Sequence, residues 1–154
     1  MLRDQVGSFV PAHPITGREV SGVDHADPDL YGGKQVILTP IERTLVRQLD
    51  RAKAVWEALG CKVQSMSPEA HDAALAAVSH LPHLIAYTIV GSAADLENVT
   101  ESEVIKFSAS GFRDFTRIAA SDPTMWRDIF VANKDAVLEV LGRFTEDLQA
   151  LSRA

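Results

Sequence analysis

The sequence predicts a mainly α-helical protein that carries a partial α/β piece at its amino-terminal end. Within residues 1–67, short apolar runs and one amphipathic segment follow each other in the order strand, strand, helix, strand, which is typical of part of an α/β sheet. After Ser67-Pro68 the apolar residues recur at helical spacing only. We therefore expect two domains, an α/β domain over residues 1–67 and an all-helical domain over residues 68–154.

Four elements are expected in the α/β piece. They are a short strand at 9–13, a strand at 36–38, a helix at 43–59 and a strand at 61–66. The run at 36–38 is apolar on consecutive positions, as in a parallel strand that is covered on both faces. The helix repeats apolar residues every three or four positions, and Gly60 follows it as a favourable helix end. Such a small sheet leaves edges uncovered, so we expect a partner chain or a larger fold to cover them.

The second piece is expected to contain three helices. They are one helix at 68–94, a short helix between the capping-box pattern at 100–103 and Gly111, and one helix from Asp122-Pro123 to Leu151. Ser67 can cap the first of these, and Pro82 must bend it because proline has no backbone N–H to donate. The last helix carries one wide apolar stripe, which needs another helix to cover it.

Composition argues against several classes of partner. The chain has 154 residues, of which 46% are hydrophobic and 23% charged, values typical of a folded globular protein. Its net charge of −6 argues against nucleic acid or an anionic membrane, because both need a concentrated basic face. The first residues lack a signal-peptide pattern, and no run approaches the ~18 apolar residues of a membrane span, so we expect a cytoplasmic protein. The single cysteine, Cys61, is interpreted as a buried structural thiol.

His13 is the candidate general base. It lies where a predicted strand ends and a glycine-rich loop begins, and ligands of open α/β sheets bind beyond the carboxyl ends of the strands. A neutral imidazole at that position can take a proton from a hydroxyl group. The alternative is a loop histidine that only hydrogen-bonds to nearby backbone.

Arg113 and Arg117 are the candidate anion-binding residues. They are four positions apart and share a helix face, and Asp114 is placed to orient Arg117. Paired guanidinium groups bind carboxylates in a bidentate manner, which suits a small dianionic acid. The alternative is a solvated helix with an intrahelical ion pair, but the neighbouring aromatic residues indicate that this helix also packs.

The segment Ser79-His80-Leu81-Pro82-His83 places two histidines at the proline bend. Zinc can use this spacing, but the sequence offers no evident third ligand, and we expect no metal site. Of the two, His83 is interpreted as a site residue, and His80 is expected to satisfy backbone groups at the bend. Trp126 is interpreted first as a core or interface residue, with a pocket wall as the alternative.

These residues lie in segments that resemble the prephenate and arogenate dehydrogenase family of tyrosine biosynthesis. The matching segments are 13–19 (HPITGRE) with Ser21-Gly22, 33–40 (GKQVILTP), His71-Asp72 followed by 79–83 (SHLPH), and 111–119 (GFRDFTRIA) followed by Trp126. The resemblance covers nearly the whole chain and corresponds to about the second half of the family's usual polypeptide. It implies the remnant of a Rossmann-type nucleotide-binding domain followed by an all-helical dimerisation domain of the 6-phosphogluconate dehydrogenase C-terminal-like type.

The resemblance also implies an activity, an NAD(P)-dependent oxidative decarboxylation that turns the substrate ring aromatic. It implies that His13 accepts the proton of the substrate hydroxyl and that the substrate pocket is formed by Glu19, His83, Arg113, Asp114, Arg117 and Trp126. Arg117 matches the arginine that holds a substrate carboxylate, and Glu19 and Asp114 match an ionic network at the pocket mouth. Because the family dimerises through its helical half, Arg113, Arg117 and Trp126 are expected to serve the site of a partner subunit.

Three departures from the family pattern leave alternatives open. The chain has no glycine-rich dinucleotide fingerprint, and it lacks the serine that supports the histidine from upstream. Ser110 also stands where the family often has glycine. One alternative is a non-catalytic dimerising or aromatic-acid-sensing module derived from the enzyme, and another is a different β-hydroxyacid dehydrogenase with a helical second domain. The sequence does not decide between prephenate and arogenate or between NAD and NADP.

Overall fold

The computed structural model describes residues 6–17, 22–100 and 105–154, and for residues 97–100 it describes the backbone only. The chain divides into two compact units, Met1–His71 and Asp72–Ala154. This division falls four residues after the boundary expected from the sequence. The fold class agrees with the sequence prediction, because a small sheet with one helix precedes a wholly helical unit.

The first unit contains a three-stranded mixed sheet. Its strands are β1 (Ala12–Pro14), β2 (Gln35–Leu38) and β3 (Lys62–Ser65), and β2 lies in the middle. β2 runs parallel to β3, as the apolar run at 36–38 predicts, and β1 pairs with β2 in the antiparallel direction. The expectation of a purely parallel environment for β2 is therefore wrong on one side. Antiparallel pairing places His13 opposite Ile37 in the sheet.

One helix covers this sheet and completes the core of the first unit. Helix α1 (Val46–Ala58) packs Leu49, Ala52 and Trp56 against Val36 and Leu38, both of which are fully buried. The chain then turns at Gly60, whose φ of +84° is in the left-handed region that favours glycine. Cys61 is buried as expected, and its thiol donates to the carbonyl oxygen of Tyr31 at 3.4 Å.

The second unit is formed by helices, the first of which begins before the division between the units. The helices are α2 (Pro68–Leu75), α3 (Leu81–Thr100), α4 (Ser110–Thr116), α5 (Pro123–Ala132) and α6 (Lys134–Leu151). Two of the predicted caps are confirmed. Ser67 Oγ accepts from the backbone N–H of Ala70 at 3.1 Å, and the Asp122 carboxylate accepts from the backbone N–H of Thr124 at 2.8 Å.

Between α2 and α3 the backbone widens into a π-helical turn, Ala76–His80. The backbone N–H of Leu81 reaches back five residues to the carbonyl of Ala76, so the extra residue is taken up just before Pro82. The sequence prediction of an interruption at Pro82 is confirmed, but its form is a π turn inside a continuous helical stretch. That stretch, Pro68–Leu96, is long and apolar enough to cross a membrane by length and composition, with 22% of its apolar window buried. The expectation that no segment reaches this threshold was wrong, although the core helix of a soluble protein meets it equally well.

The predicted capping box at 100–103 lies outside the described residues, apart from the backbone of Thr100, which is the last residue of α3. One predicted helix boundary is also wrong. Gly111 lies in the first turn of α4 and does not end a helix. The expected single helix from 123 to 151 is divided into α5 and α6 at Asn133. The side-chain amide of Asn133 donates to the Asp72 carbonyl at 2.8 Å and to His80 Nδ1 at 3.1 Å.

Candidate functional site

The first unit places His13 beside a second histidine. His13 Nδ1 lies 2.8 Å from His71 Nε2, and the two rings meet edge to face with their centroids 5.1 Å apart. The backbone around His13 is fixed, because the N–H of Ile15 donates to the Gln35 carbonyl at 2.8 Å. His71 lies in the first turns of α2, and its N–H donates to the Ser67 carbonyl. Two rigid elements therefore bring these imidazoles together.

The environment of His13 favours its neutral form. Removal of water around the ring is the main cause that lowers the pKa of His13, and the neighbouring His71 lowers it further. A lowered pKa leaves the imidazole unprotonated at neutral pH, so that one ring nitrogen keeps a lone pair. Because the Nδ1 atom is occupied by His71, the Nε2 atom is the one available to a ligand.

The second unit stacks His83 on Trp126. Their ring centroids are 3.5 Å apart and the ring planes differ by 19°, and the ring of Phe130 lies on the same indole at 5.5 Å. His83 Nδ1 lies 2.8 Å from the carbonyl oxygen of Ser79, which can only accept, so this nitrogen carries the proton. Burial lowers the pKa of His83, while the bond to Ser79 acts in the opposite direction. His83 is thus a neutral ring with Nε2 as an acceptor.

Trp126 has a donor without a partner. Its side chain is 7% exposed, and the indole N–H makes no hydrogen bond to any of the residues that the structure describes. A buried donor in this condition costs about 1–3 kcal/mol. The neighbouring His80 ring, 6.1 Å away by centroids, is held by Asn133 and does not accept from the indole.

A groove of about 480 Å³ in the second unit collects positive side chains. We call it the arginine groove. It is lined by Val90, Ile105, Lys106, Ser108, Phe112, Arg113, Thr116, Arg117 and Ala120. Arg113 lies in α4, and Arg117 follows it at the start of the 3₁₀ turn Arg117–Ala120. Three cations and an aromatic wall suit an organic anion with more than one negative charge.

Contacts with α3 hold the arginine groove in place. The hydroxyl of Tyr87 on α3 donates to the Ser121 carbonyl at 2.8 Å, just after the 3₁₀ turn that begins with Arg117. In α4, the hydroxyl of Thr116 donates to the Phe112 carbonyl at 2.7 Å. These two bonds lie on either side of Arg117 in the chain.

The structure brings some of the predicted site residues together and leaves others apart. His83 contacts Trp126, and Arg113 and Arg117 line one groove. Asp114 is not part of an ion pair within the described residues, and its role in orienting Arg117 stays a prediction. Glu19 lies outside the described residues. His71 and Lys106 were missed as site residues, and the only sequence signal for His71 was its place in the His71-Asp72 motif.

A partial α/β unit that carries a histidine on its edge strand is followed along the chain by a helical unit that carries the arginine groove. The chain belongs to the prephenate dehydrogenase family. Residues 2–65 match "Prephenate dehydrogenase, nucleotide-binding domain" and residues 67–154 match "Prephenate dehydrogenase, dimerization domain". The two matches together cover nearly the whole chain, and they meet close to the start of α2.

Two relatives agree with this assignment. The chain is 41% identical to the cyclohexadienyl dehydrogenase of Zymomonas mobilis over 95% of its own length and 50% of that protein. It is 38% identical to the prephenate dehydrogenase of Bacillus subtilis, with coverages of 94% and 38%. The chain therefore spans half or less of the length of these relatives.

Solved structures give the same result. The prephenate dehydrogenase of Aquifex aeolicus, crystallised with hydroxyphenyl propionate and NAD⁺, is 46% identical and superposes with a TM-score of 0.88. That similarity covers 94% of this chain and 50% of the Aquifex chain. The arogenate dehydrogenase of Synechocystis is 29% identical with a TM-score of 0.79, covering 95% of this chain and 53% of the other.

Proposed function

We propose that this chain provides the proton acceptor and the carboxylate-binding groove of a prephenate or arogenate dehydrogenase in tyrosine biosynthesis. In this proposal residues 1–67 are the carboxyl-terminal part of a nucleotide-binding domain, and residues 68–154 form the helical dimerisation and substrate domain. The observation that carries the proposal is the environment of His13, whose pKa is lowered and whose Nδ1 atom is engaged by His71. Family membership supports the same reaction.

The role of His13 is to take a proton. In this reaction the ring carbon that bears the hydroxyl group is oxidised. The proton of that hydroxyl group passes to His13 Nε2. A base that is neutral before the reaction is required for this transfer, and desolvation of His13 provides it. The ring becomes an imidazolium, and its Nδ1 side remains bonded to His71.

The role of the arginine groove is to bind the substrate carboxylate. Arg117 and Arg113 offer guanidinium groups from neighbouring turns, and Lys106 adds a third positive charge to the same groove. Arg117 is assigned the carboxylate and Arg113 the supporting charge, with Asp114 and Glu19 at the mouth of the pocket. Bidentate pairing to a carboxylate fixes orientation as well as affinity.

The stacked pair of His83 and Trp126 is assigned to the ring of the substrate. A flat aromatic wall suits a six-membered ring that becomes planar during the reaction. His83 offers an acceptor at Nε2, so the cluster can bind a polar substituent of the ring. Positioning of this kind is the main contribution a protein makes when aromatisation drives the chemistry.

The cofactor implied by the family is NAD or NADP, which supplies the hydride acceptor when bound. The 154 residues contain no glycine-rich phosphate-binding turn, so they do not by themselves provide a fit for the dinucleotide pyrophosphate. The steps assigned to this chain therefore concern substrate binding and proton transfer only. The second candidate function is a non-catalytic module that senses aromatic acids through the same arginine groove.

A homodimer formed through the helical unit is part of the proposal. Apolar side chains on α6 remain exposed, among them Leu138 at 53% and Leu151 at 73%. A second groove, of about 320 Å³, is almost wholly apolar and is lined by Leu84, Phe130, Val131, Lys134, Val137, Leu138 and Leu141. An apolar surface of this kind favours burial against another helical surface, and a second copy of the chain is the occupant that the family description supports.

The test of the proposed function separates binding from turnover. The chain is titrated with prephenate by isothermal calorimetry, and in parallel it is mixed with prephenate and NAD or NADP while reduced nicotinamide is monitored. We expect binding of prephenate. Turnover would show that the chain alone is an active enzyme, whereas binding without turnover would agree with a chain that provides only the substrate-binding and proton-accepting part. Absence of binding at millimolar prephenate would refute both functions.

A further inference from the structure

The contact between His13 and His71 determines which nitrogen of His13 carries its proton. Only 2.8 Å separates His13 Nδ1 from His71 Nε2, so one of the two nitrogens donates and the other accepts. If His71 donated, His13 would carry its proton on Nε2 and would have no lone pair facing outward. If His13 donates, Nε2 is left with a lone pair, as a general base requires.

We propose that His71 is a positioning residue that accepts a hydrogen bond from His13 Nδ1–H and so fixes the tautomer that exposes the basic Nε2 atom. The direction of this hydrogen bond rests on the proposed function, because a general base needs its lone pair on Nε2. In the proton transfer, the O–H bond of the substrate breaks, a new N–H bond forms at His13 Nε2, and the Nδ1–H bond to His71 persists. No other group has to gain or lose a proton.

The positions of both residues suit this role. His13 is placed by the pairing of β1 with β2, and the His71 backbone is held by the Ser67 carbonyl in the first turn of α2. The edge-to-face arrangement, with ring planes 64° apart, allows a nitrogen of one ring to point at a nitrogen of the other. Free imidazole side chains in water favour the Nε2–H tautomer, so a fixed acceptor at Nδ1 is needed to reverse this preference.

The test measures the tautomer directly in the whole chain without substrate. Long-range ¹H–¹⁵N correlation spectra at neutral pH distinguish a protonated from an unprotonated ring nitrogen, and single variants assign each of the five histidines. We expect His13 to carry its proton on Nδ1. His71→Gln, whose amide oxygen replaces the acceptor, should keep that tautomer, whereas His71→Leu should shift His13 towards Nε2–H. His25→Leu, a change at an exposed histidine of the same unit, is the matched control and should leave the His13 signals unchanged.

Two outcomes would overturn the inference. One is a wild-type chain with His13 in the Nε2–H form, and the other is a folded His71→Leu chain in which Nδ1 remains protonated. If His71→Leu does not fold, as judged by circular dichroism, the wild-type spectrum and the His71→Gln spectrum still decide. Because prephenate binding is measured separately, failure of the proposed function would leave this result intact.

Discussion

The imidazole of His83 lies flat on the indole of Trp126, with the ring centroids 3.5 Å apart. Both sides of this contact are fixed by local structure. His83 is bonded to the Ser79 carbonyl within the π turn, and Trp126 lies in the first turn of α5, which is capped by Asp122. The π turn therefore has a consequence for the site, since it sets the position of His83 relative to the indole ring.

The unpaired indole N–H leads to a prediction about Trp126. Trp126→Ala should lower the free energy of unfolding by about 3–5 kcal/mol, because it leaves a cavity in the core. Trp126→Phe should cost only about 1 kcal/mol or less, because loss of the unsatisfied donor offsets the lost volume. Urea unfolding measures both values. A Trp126→Phe variant as unstable as Trp126→Ala would show that the N–H has a partner in solution.

The arginine groove leads to a prediction about affinity. Arg117→Ala should weaken prephenate binding by about 10- to 150-fold, the equivalent of a lost charged hydrogen bond of about 1.5–3 kcal/mol. Arg113→Lys should change affinity only a few-fold, because it retains the supporting charge. Arg143→Ala is the matched control, since Arg143 is exposed and paired with Glu139 within α6. Equal affinities of the Arg117→Ala and Arg143→Ala variants in calorimetry would remove the assigned role.

Much of the fold follows from local sequence patterns. The caps at Ser67 and Asp122, the helix end at Gly60 and the interruption at Pro82 each depend on neighbouring residues, and all four agree with the structure. The antiparallel pairing of β1 was not predicted, because pairing joins residues that are distant in sequence. The apolar stripe of the expected last helix continues across Asn133 in the sequence. It therefore does not indicate that the helix is divided there.

For the site as well, the sequence predicts residues that are close together in the chain but not contacts between distant ones. The arginine pair was visible because positions four apart share a helix face. Asn133 ends α5 with the help of Asp72 and His80, which lie 61 and 53 residues away in sequence. His71 meets His13 across 58 residues, so no local pattern connects the two. Contacts of this range require the folded chain.

The lowered pKa of His13 predicts a pH dependence of stability. Burial and His71 hold the pKa of folded His13 below the ordinary value of 6.5, so the unfolded chain binds more protons below that pH. The free energy of unfolding should therefore fall as the pH decreases below about 6.5, until folded His13 is itself protonated.

His13→Asn should reduce this slope, whereas His25→Asn, at an exposed position of the same unit, should preserve it. Urea unfolding between pH 5 and pH 8 provides the measurement. His83 adds a slope of the same sign because its pKa is also lowered, so a residual slope is expected in His13→Asn. An unchanged slope in that variant would mean that His13 has an ordinary pKa.

Asn133 is expected to stabilise the junction between α5 and α6. Asn133→Ala removes two hydrogen bonds and leaves His80 Nδ1 without this donor, which should cost about 1–3 kcal/mol of unfolding free energy. Thr145→Ala is the matched control, because its hydroxyl only donates to the Leu141 carbonyl on the exposed side of α6 and should matter by about 0.5 kcal/mol or less. Similar losses in both variants, measured by thermal unfolding, would argue against this role.

The apolar groove between α3, α5 and α6 leads to a prediction about assembly. Sedimentation velocity should find the chain as a dimer at micromolar concentration, and Leu138→Asp should raise the dimer dissociation constant by at least about 30-fold, or about 2 kcal/mol. The physical reason is that a carboxylate would have to be buried in an apolar contact without a partner. Val23→Asp, at a side chain 86% exposed in the first unit, carries the same charge change and should leave the dimer intact. Because Leu138 is half exposed, the Leu138→Asp variant should fold, and circular dichroism checks this. A wild-type chain that stays monomeric would refute the proposed homodimer.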